Sequence, residues 1–590
     1  MNAYLVFDLR IVLQLLKKSN FFNKKKTIFI TDKIVIFNLL KQKNISSICL
    51  DSHINNSERK RIFLKEYKYF DNKLRKFGEK NYFYYKKHKI NSIYNSFRHD
   101  IPRQYVGVNF LLISLKRIIV KNNIKKIIYL NDLVSYGNNI LNKSFYAEVF
   151  KLFCKKNFIL FEENNIANEY KISLIEKSIN IFFRFFYEFK VFNVKNIFNF
   201  IKKKISNILI NKKKRNLAII GQACDLNYMK RNIFNFFYYD IDLLSNFLLR
   251  KYSITNVNIS KFDNLKNIDD IFLFYLREQN LKMERYFTEI ISITHNYFKK
   301  NKAKKIFWGL PPSPFIRNII LYLKKYFTIV GAQHGGKYFI MEDDIIHRDS
   351  DYIFCDEFYS YGFSKSFNKK KFAPNTKIIN TGCFKDKYIR NKLSKNSKKN
   401  SLNNILFIPA GLNLLTNPTP ETNQTTRFNL QKEICQSLNK VRSEEVQKYV
   451  KVMPQTYYGK FNLNYEHLES NPIYLELQNY KSIKVNQDSI IKAFQKINPK
   501  IIIFDYISTP FYELINSDSE IIVFLDKYNY PKKDVLISLK KRVHIVNSVK
   551  EMNFFINKIL NSKISKNVNQ EFYNLFYKSK INQSKIFKNV

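Results

Sequence analysis

The sequence predicts an α/β protein: two Rossmann-like blocks facing a cleft, with a further α/β block in front of them. Three observations predict this. Short apolar runs alternate with amphipathic stretches over most of the 590 residues, the pattern of βα units on a parallel sheet. The runs fall into groups separated by Lys-rich junctions. The sharpest turn signals stand directly after the apolar runs, where ligands of open α/β sheets bind.

In the front block, Thr27–Thr31 reads as a strand, Ile34–Leu40 as a helix and Ser46–Leu50 as a strand. Lys126–Leu130 and Asn157–Phe161 are further strands with a helical stretch between them. Residues 172–211 are aromatic and Lys-studded, without Gly or Pro, and read as one or two helices. The run Lys212–Arg215 marks a junction. Strands resume at Leu217–Gly221, followed by a long helical region over 225–300, a strand at Lys305–Gly309 and a Pro-rich loop. Phe327–Ala332, Tyr352–Cys355 and Lys377–Thr381 follow as strands. Residues 385–404, rich in Lys, Asn and Ser, are the best linker candidate. The last block has strands at Ile405–Pro409, Tyr449–Met453, Ile501–Phe504, Ile521–Leu525 and Val543–Val546, and ends in a helix near 548–561. The expected division is 1–170 (front block), 171–215 (basic aromatic connector), 216–390 and 400–565 (two Rossmann-like domains).

Composition narrows the function classes. Hydrophobic residues at 45% and aromatics at 16% exclude wholesale disorder. Only 12 Gly and 13 Pro exclude collagen-like or linker-like chains. The net charge of +53 suggests nucleic acid or an anionic membrane as partner. Yet the Lys excess accompanies abundant Asn, Ile, Phe and Tyr, all with A/T-rich codons, so base composition accounts for most of it. There is no zinc finger, RNP-like segment or Walker loop, so no specific nucleic acid is expected. Six dispersed cysteines without a CxxC pair fit neither a disulfide framework nor a zinc site. With no signal peptide and no spanning apolar run, the expected location is cytoplasmic. The stretch 179–204 mixes Phe, Ile and Val with Lys and Arg. It reads as a buried or inter-domain helix, or as a peripheral contact with an anionic membrane at its inner face.

Gly331-Ala332-Gln333-His334-Gly335-Gly336 follows the strand FTIV. Gly allows positive φ and close backbone approach to a ligand, and such a turn can aim N–H groups at a phosphate. His334 could serve as general base on an acceptor hydroxyl. The other reading is a tight turn with a hydrogen-bonded His. After the strand IIIF comes Asp505–Glu513 (DYISTPFYE). Ser508 and Thr509 offer hydroxyls at a helix start, a place that binds phosphate, and Glu513 lies one turn further on, within reach of sugar hydroxyls. A plain Ser/Thr cap with a first-turn acid fits equally well. Val452–Gly459 is a strand end entering a loop. The run Glu342-Asp343-Asp344 with His347, Asp349 and Asp351 fits no defined metal loop and reads as solvated. Glu162 and Glu163 stand at the end of the strand NFILF, as an acidic loop or as a candidate base.

The order of these motifs resembles a family of bacterial surface-carbohydrate (capsule and lipopolysaccharide) transferases with a GT-B-like architecture. They are QHGG (333–336), a strand near DYIF with Tyr361-Gly362, PxxxYG (454–459) and DYISTPFYEL (505–514). The match covers roughly 300–530. More distantly, the chain is similar to the glycerophosphotransferases of teichoic-acid synthesis. The front block resembles polysialyltransferases through the pair Glu162-Glu163, where their following Gly is Asn164 here. The resemblance implies a transferase moving a sugar from a nucleotide-activated donor to a surface polysaccharide or lipid-linked glycan. His334 and Glu163 would be the catalytic candidates. Gln333, Gly335, Gly336, Gly459, Ser508, Thr509 and Glu513 would line the donor site. It implies no cofactor beyond the donor itself and no metal. A CDP-polyol phosphotransferase on the same fold and a non-catalytic glycan- or polyanion-binding protein are the rival readings. The relatives carry a basic residue on the strand before the PxxxYG loop, and the nearest here is Lys451.

Overall fold

The computed structural model describes residues 1–17, 27–85, 88–130, 143–164, 217–220, 236–239, 241–252, 254, 265–308, 314–394, 402–412, 419–441, 445–452, 471–562, 567 and 569–580. The connector 171–215 and Gly459 lie outside them.

Three open sheets carry the fold, and every strand pair within them is parallel. The first contains β1 (Asn2–Leu5), β2 (Thr27–Thr31) and β3 (Ser47–Cys49). After a small antiparallel hairpin, β4 (Phe83–Tyr85) and β5 (His88–Ile90), it gains β6 (Lys126–Leu130) and β7 (Leu160–Asn164). Its order is β3-β2-β1-β6-β7. The second comprises β8 (Leu217–Ile220), β9 (Phe236–Tyr239), β10 (Lys305–Trp308), β11 (Thr328–Ala332), β12 (Glu357–Ser360) and β13 (Lys377–Asn380), in the order β13-β12-β11-β10-β8-β9. The third comprises β14 (Leu402–Ile408), β15 (Lys448–Lys451), β16 (Ile483–Asn486), β17 (Pro499–Phe504), β18 (Glu520–Phe524) and β19 (His544–Val546), in the order β16-β15-β14-β17-β18-β19. In the first and third sheets the chain starts in the middle, winds one way for three strands, then crosses back, which is the Rossmann order. Parallel sheets need cover on both faces, and the strands obey: Ile405, Leu406, Phe407, Ile501, Ile502 and Ile503 are all fully buried.

Several expected elements move. Asn157–Ile159 is not strand: the helix Lys143–Lys156 closes there, with Phe158 at φ 55°, and β7 begins at Leu160. Glu162 and Glu163 therefore lie within an edge strand, not beyond it. The expected long helix over 225–300 contains β9, whose FFYY is aromatic and strand-forming. Tyr352–Phe354 is a single 3-10 turn, and the strand starts at Glu357.

The first two units share one apolar core, in which Phe70, Tyr105 and Phe145 of the first meet Phe272 of the second. The long helix Asn56–Lys80 starts at an Asn55 cap that accepts from Glu58 N (2.8 Å). From its first turn two contacts diverge. Asn56 Oδ1 accepts from Asn423 N of the third unit (2.7 Å), and Lys60 Nζ pairs with Asp343 of the second (3.3 Å). The second and third units also join directly, with Glu342 N donating to Tyr530 O and Lys532 N to Ile340 O. Residues 571–580 return to the second unit, where Cys383 N donates to Tyr577 O and Tyr573 Oη to the buried Asp386. Among the described residues no helix is long and apolar enough to cross a membrane, and five cysteines are buried and outside any disulfide.

Candidate functional site

In the third sheet the chain reverses its winding between β14 and β17, so their carboxyl ends open a crevice. A cavity of about 230 Å³ lies there. Ala410 and Gly411 follow β14, and Tyr506 and Ser508 follow β17. Thr419, Glu421 and Arg427 close one side, and Lys337, Asp343 and His347 of the second unit form the facing wall.

Charge inside it is paired. The Glu421 carboxylate is buried between Lys337 (2.5 Å), Tyr506 Oη (2.5 Å) and Arg427 (3.9 Å). Burial alone would raise its pKa, but the Lys337 and Arg427 cations outweigh it and hold the carboxyl below the usual range. Arg427 also pairs with Asp526 (2.7 Å), whose carboxylate accepts from the amides of Thr422, Tyr528 and Asn529. Both cations lie over the Tyr506 ring, Lys337 at 4.1 Å and Arg427 at 4.4 Å. Asp505 behind them ties the crevice together, accepting from Ala410 N and Gln431 Nε2, each at 2.7 Å. Burial raises its pKa. The cavity therefore offers both donors and acceptors in fixed places, an arrangement suited to a hydroxyl-rich ligand carrying an anionic group.

The turn after β11 abuts this crevice. A Cβ on Gly336 would stand 2.3 Å from Tyr512 Cε2, and one on Gly335 3.1 Å from Thr509 Oγ1. Gly is required here for close packing of the two units. The expected positive φ falls instead on the next residue, Lys337, at φ 85°. The structure thus brings the 331–336 and 505–513 motifs into contact. Gln333 is spent inside the turn: its Nε2 donates to Gly335 O (2.8 Å), and its Oε1 accepts from Tyr361 N (2.9 Å). His334 is half-buried, 3.1 Å from Tyr338 Oη. Tyr338 donates to Asp351, and burial, then that carboxylate, push its hydroxyl far above its ordinary pKa. The other ring nitrogen lies 3.2 Å from the same oxygen, so the Tyr338 oxygen can accept from whichever nitrogen of His334 carries the proton.

The remaining candidates divide between the cavity and its surroundings. Ser508 lines the cavity, and Thr509 starts the short helix Thr509–Leu514. Glu513 lies on that helix outside the cavity; burial lowers the pKa of Lys451, and the charges of Asp488 and Glu513 offset this only in part. Glu163 is exposed on the edge strand of the first sheet and does not line the cavity. The acidic run 342–351 is not uniformly solvated. Asp349 is fully buried between Arg98, Arg348 and Tyr67, and Asp344 holds His347 (2.6 Å). Among the described residues no cluster of His, Cys, Asp and Glu is placed to hold a metal. Lys337, Glu421 and Arg427 carried no sequence signal of their own. Lys337 follows a recognised motif, but Glu421 and Arg427 sit in an unremarkable polar stretch.

No family model matches the chain, and no curated protein matches it by sequence. Among solved structures it is similar in architecture to UDP-GlcNAc 2-epimerase from Neisseria meningitidis bound to UDP-GlcNAc. The identity is 12%, over 63% of this chain and 98% of that one, with a TM-score of 0.38. It is also similar to MurG from Acinetobacter baumannii (9%, 64% and 100%, 0.36). A third is sucrose-phosphate synthase from Thermosynechococcus elongatus (8%, 50% and 75%, 0.32). The strand orders described above, rather than these overlaps, define the fold: α/β, with Rossmann-like units facing a cleft in a GT-B-like arrangement.

Proposed function

We propose that this chain is a glycosyltransferase-like enzyme that takes a sugar from a nucleotide-activated donor and passes it to a surface polysaccharide or lipid-linked glycan. The observation that carries the reading is the cavity at the β14/β17 crossover, walled on its far side by the Lys337–His347 segment. A donor phosphate entering there takes Lys337 from Glu421, and the released carboxylate accepts from donor hydroxyls. The leaving group is a phosphate, so a cation held at the site stabilises the charge that develops as the bond breaks. His334, backed by Tyr338 and Asp351, takes the proton from the acceptor hydroxyl. The acceptor class follows the order of sequence motifs.

The test is thermal stabilisation of the full chain by CMP, CDP, UDP, GDP and their sugar conjugates. A ligand at 100 times its Kd adds about 2.7 kcal/mol. A shift with one nucleotide, lost in Lys337→Met and Ser508→Ala, supports the donor site and names its base. No shift with any of them overturns the reading.

A further inference from the structure

Helices in this fold end repeatedly in the same cap. The residue after the helix turns left-handed, and the following amide donates back across six residues. The pattern occurs at Asn44 (φ 56°, Ile45 N to Leu40 O, 2.9 Å) and Asn123 (φ 47°, Ile124 N to Ile119 O, 3.2 Å). It recurs at Lys302 (φ 53°) and at Phe158 (φ 55°, Ile159 N to Cys154 O, 3.0 Å). Asn adopts this conformation readily, whereas a bulky aromatic is an outlier there. Packing does not explain the Phe, because its side chain is 98% exposed.

Its surroundings are equally unusual. Leu160, two residues on, is 68% exposed, and Val120, on the helix leading into β6, is 75% exposed. The strands β6 and β7 are neighbours, and Leu160 N donates to Lys125 O (3.0 Å), so the two entry loops lie side by side. Lys121, Lys125, Lys155 and Lys156 are exposed at the two helix ends and the turns after them, and the nearest acids along β7, Glu162 and Glu163, lie further in, with Glu162 paired to Lys126.

We propose that this rim is a docking surface for an anionic lipid bilayer, with Phe158 and Leu160 entering the headgroup region and the lysines meeting the lipid charge. Two features select that occupant. Four exposed lysines in excess of the neighbouring acids complement an anionic surface, and a fully exposed aromatic at a turn is what an interface accepts and water does not. A dissolved polyanion would use the lysines and leave Phe158 idle. None of these residues lines the cavity described above.

The test is sedimentation of the full chain with vesicles of phosphatidylcholine, alone or mixed with phosphatidylglycerol, beside the Phe158→Asn and Lys155→Glu/Lys156→Glu variants. Phe158→Asn suits the left-handed cap, so it should unfold no earlier than the parent chain. It should nevertheless lose at least about tenfold in partitioning to the anionic vesicles, the burial of one aromatic side chain. The charge reversal should lose more, and salt should weaken the parent's binding. Failure of the parent chain to sediment overturns the proposal. So does equal binding to neutral vesicles, or Phe158→Asn binding as well as the parent, which would place the contact elsewhere. If sedimentation velocity shows the parent self-associating and Phe158→Asn monomeric, without vesicle binding in either, the rim is an interface between copies and the lipid reading falls.

Discussion

Lys337 Nζ lies 2.5 Å from Glu421 Oε1, so one ion pair spans the cleft between the second and third units. Its carboxyl titrates below its unfolded value near 4.5. A lowered folded pKa stabilises above the unfolded value, and that contribution is lost as pH falls through the folded one. Thermal melts from pH 6 down to pH 3 should therefore steepen in their loss of stability below about pH 4.5. Glu421→Gln should flatten that limb while lowering stability at pH 7 by about 1–3 kcal/mol. An unchanged acid limb would remove Glu421 from the account.

Gly336 leaves no room for a side chain against Tyr512. Gly336→Ala should cost about 1–3 kcal/mol by overpacking and, by pushing the two units apart, weaken any nucleotide-induced shift in Tm. Gly336→Ala/Tyr512→Ala should recover part of the packing loss. Calorimetry of the two variants beside the parent chain checks both statements.

His99 is buried, and that burial, with Arg103, Arg317 and His347 nearby, holds its pKa well below the ordinary 6.5. The unfolded chain binds this proton below pH 6.5 and the folded chain resists it. Stability is then complete above that pH and falls as the solution is acidified, by up to about 1.4 kcal/mol per pH unit for one proton. His99→Asn should remove the slope between pH 6.5 and 5, whatever it does to stability at pH 8.

Asn56 and Lys60 hold opposite walls of the cavity from one helix. Asn56→Ala removes the acceptor for Asn423 N and the Thr426 contact at 3.2 Å, costing about 1–2 kcal/mol. Hydrogen exchange should quicken at 421–427 more than at the remote strand β16.

His334→Ala should lower transferase turnover by about 10²–10⁴ with little change in nucleotide affinity, because His334 does not line the donor cavity. Equal turnover in the variant would pass the role of base to another residue. Of the groups in the structure, His347, held by Asp344 inside the cavity, is the next to test.

The strand framework was legible because buried parallel strands read as largely apolar runs: TIFIT and KIIYL appear where their composition puts them, and IIIF does too, with the strand beginning two residues earlier at Pro499. The errors have local causes. NFILF looks like a strand, but its first three residues are a helix cap whose conformation belongs to Asn or Gly, and Phe158 gives no hint of it. FFYY was lost inside a helical-looking region because four residues are too short for a period. The 331–336 and 505–513 motifs were visible, and their contact explains the glycines better than backbone freedom does. Lys337, Glu421 and Arg427 were invisible as a group. Their meaning lies in a meeting between two units, and no spacing along a chain encodes that.

Asp386 is fully buried, yet it waits for Tyr573, made 187 residues later. At roughly 5–20 residues per second, synthesis of that interval takes about 10–40 s. During that time Asp386 has only Arg390 of its own helix as partner while the third unit is still emerging from the ribosome. The last stitch of the molecule therefore closes the middle of it. A shortened chain lacking 571–580 would bare both units, Asp386 and Tyr361 in the second and Phe511 and Tyr512 in the third, to chaperones and proteases.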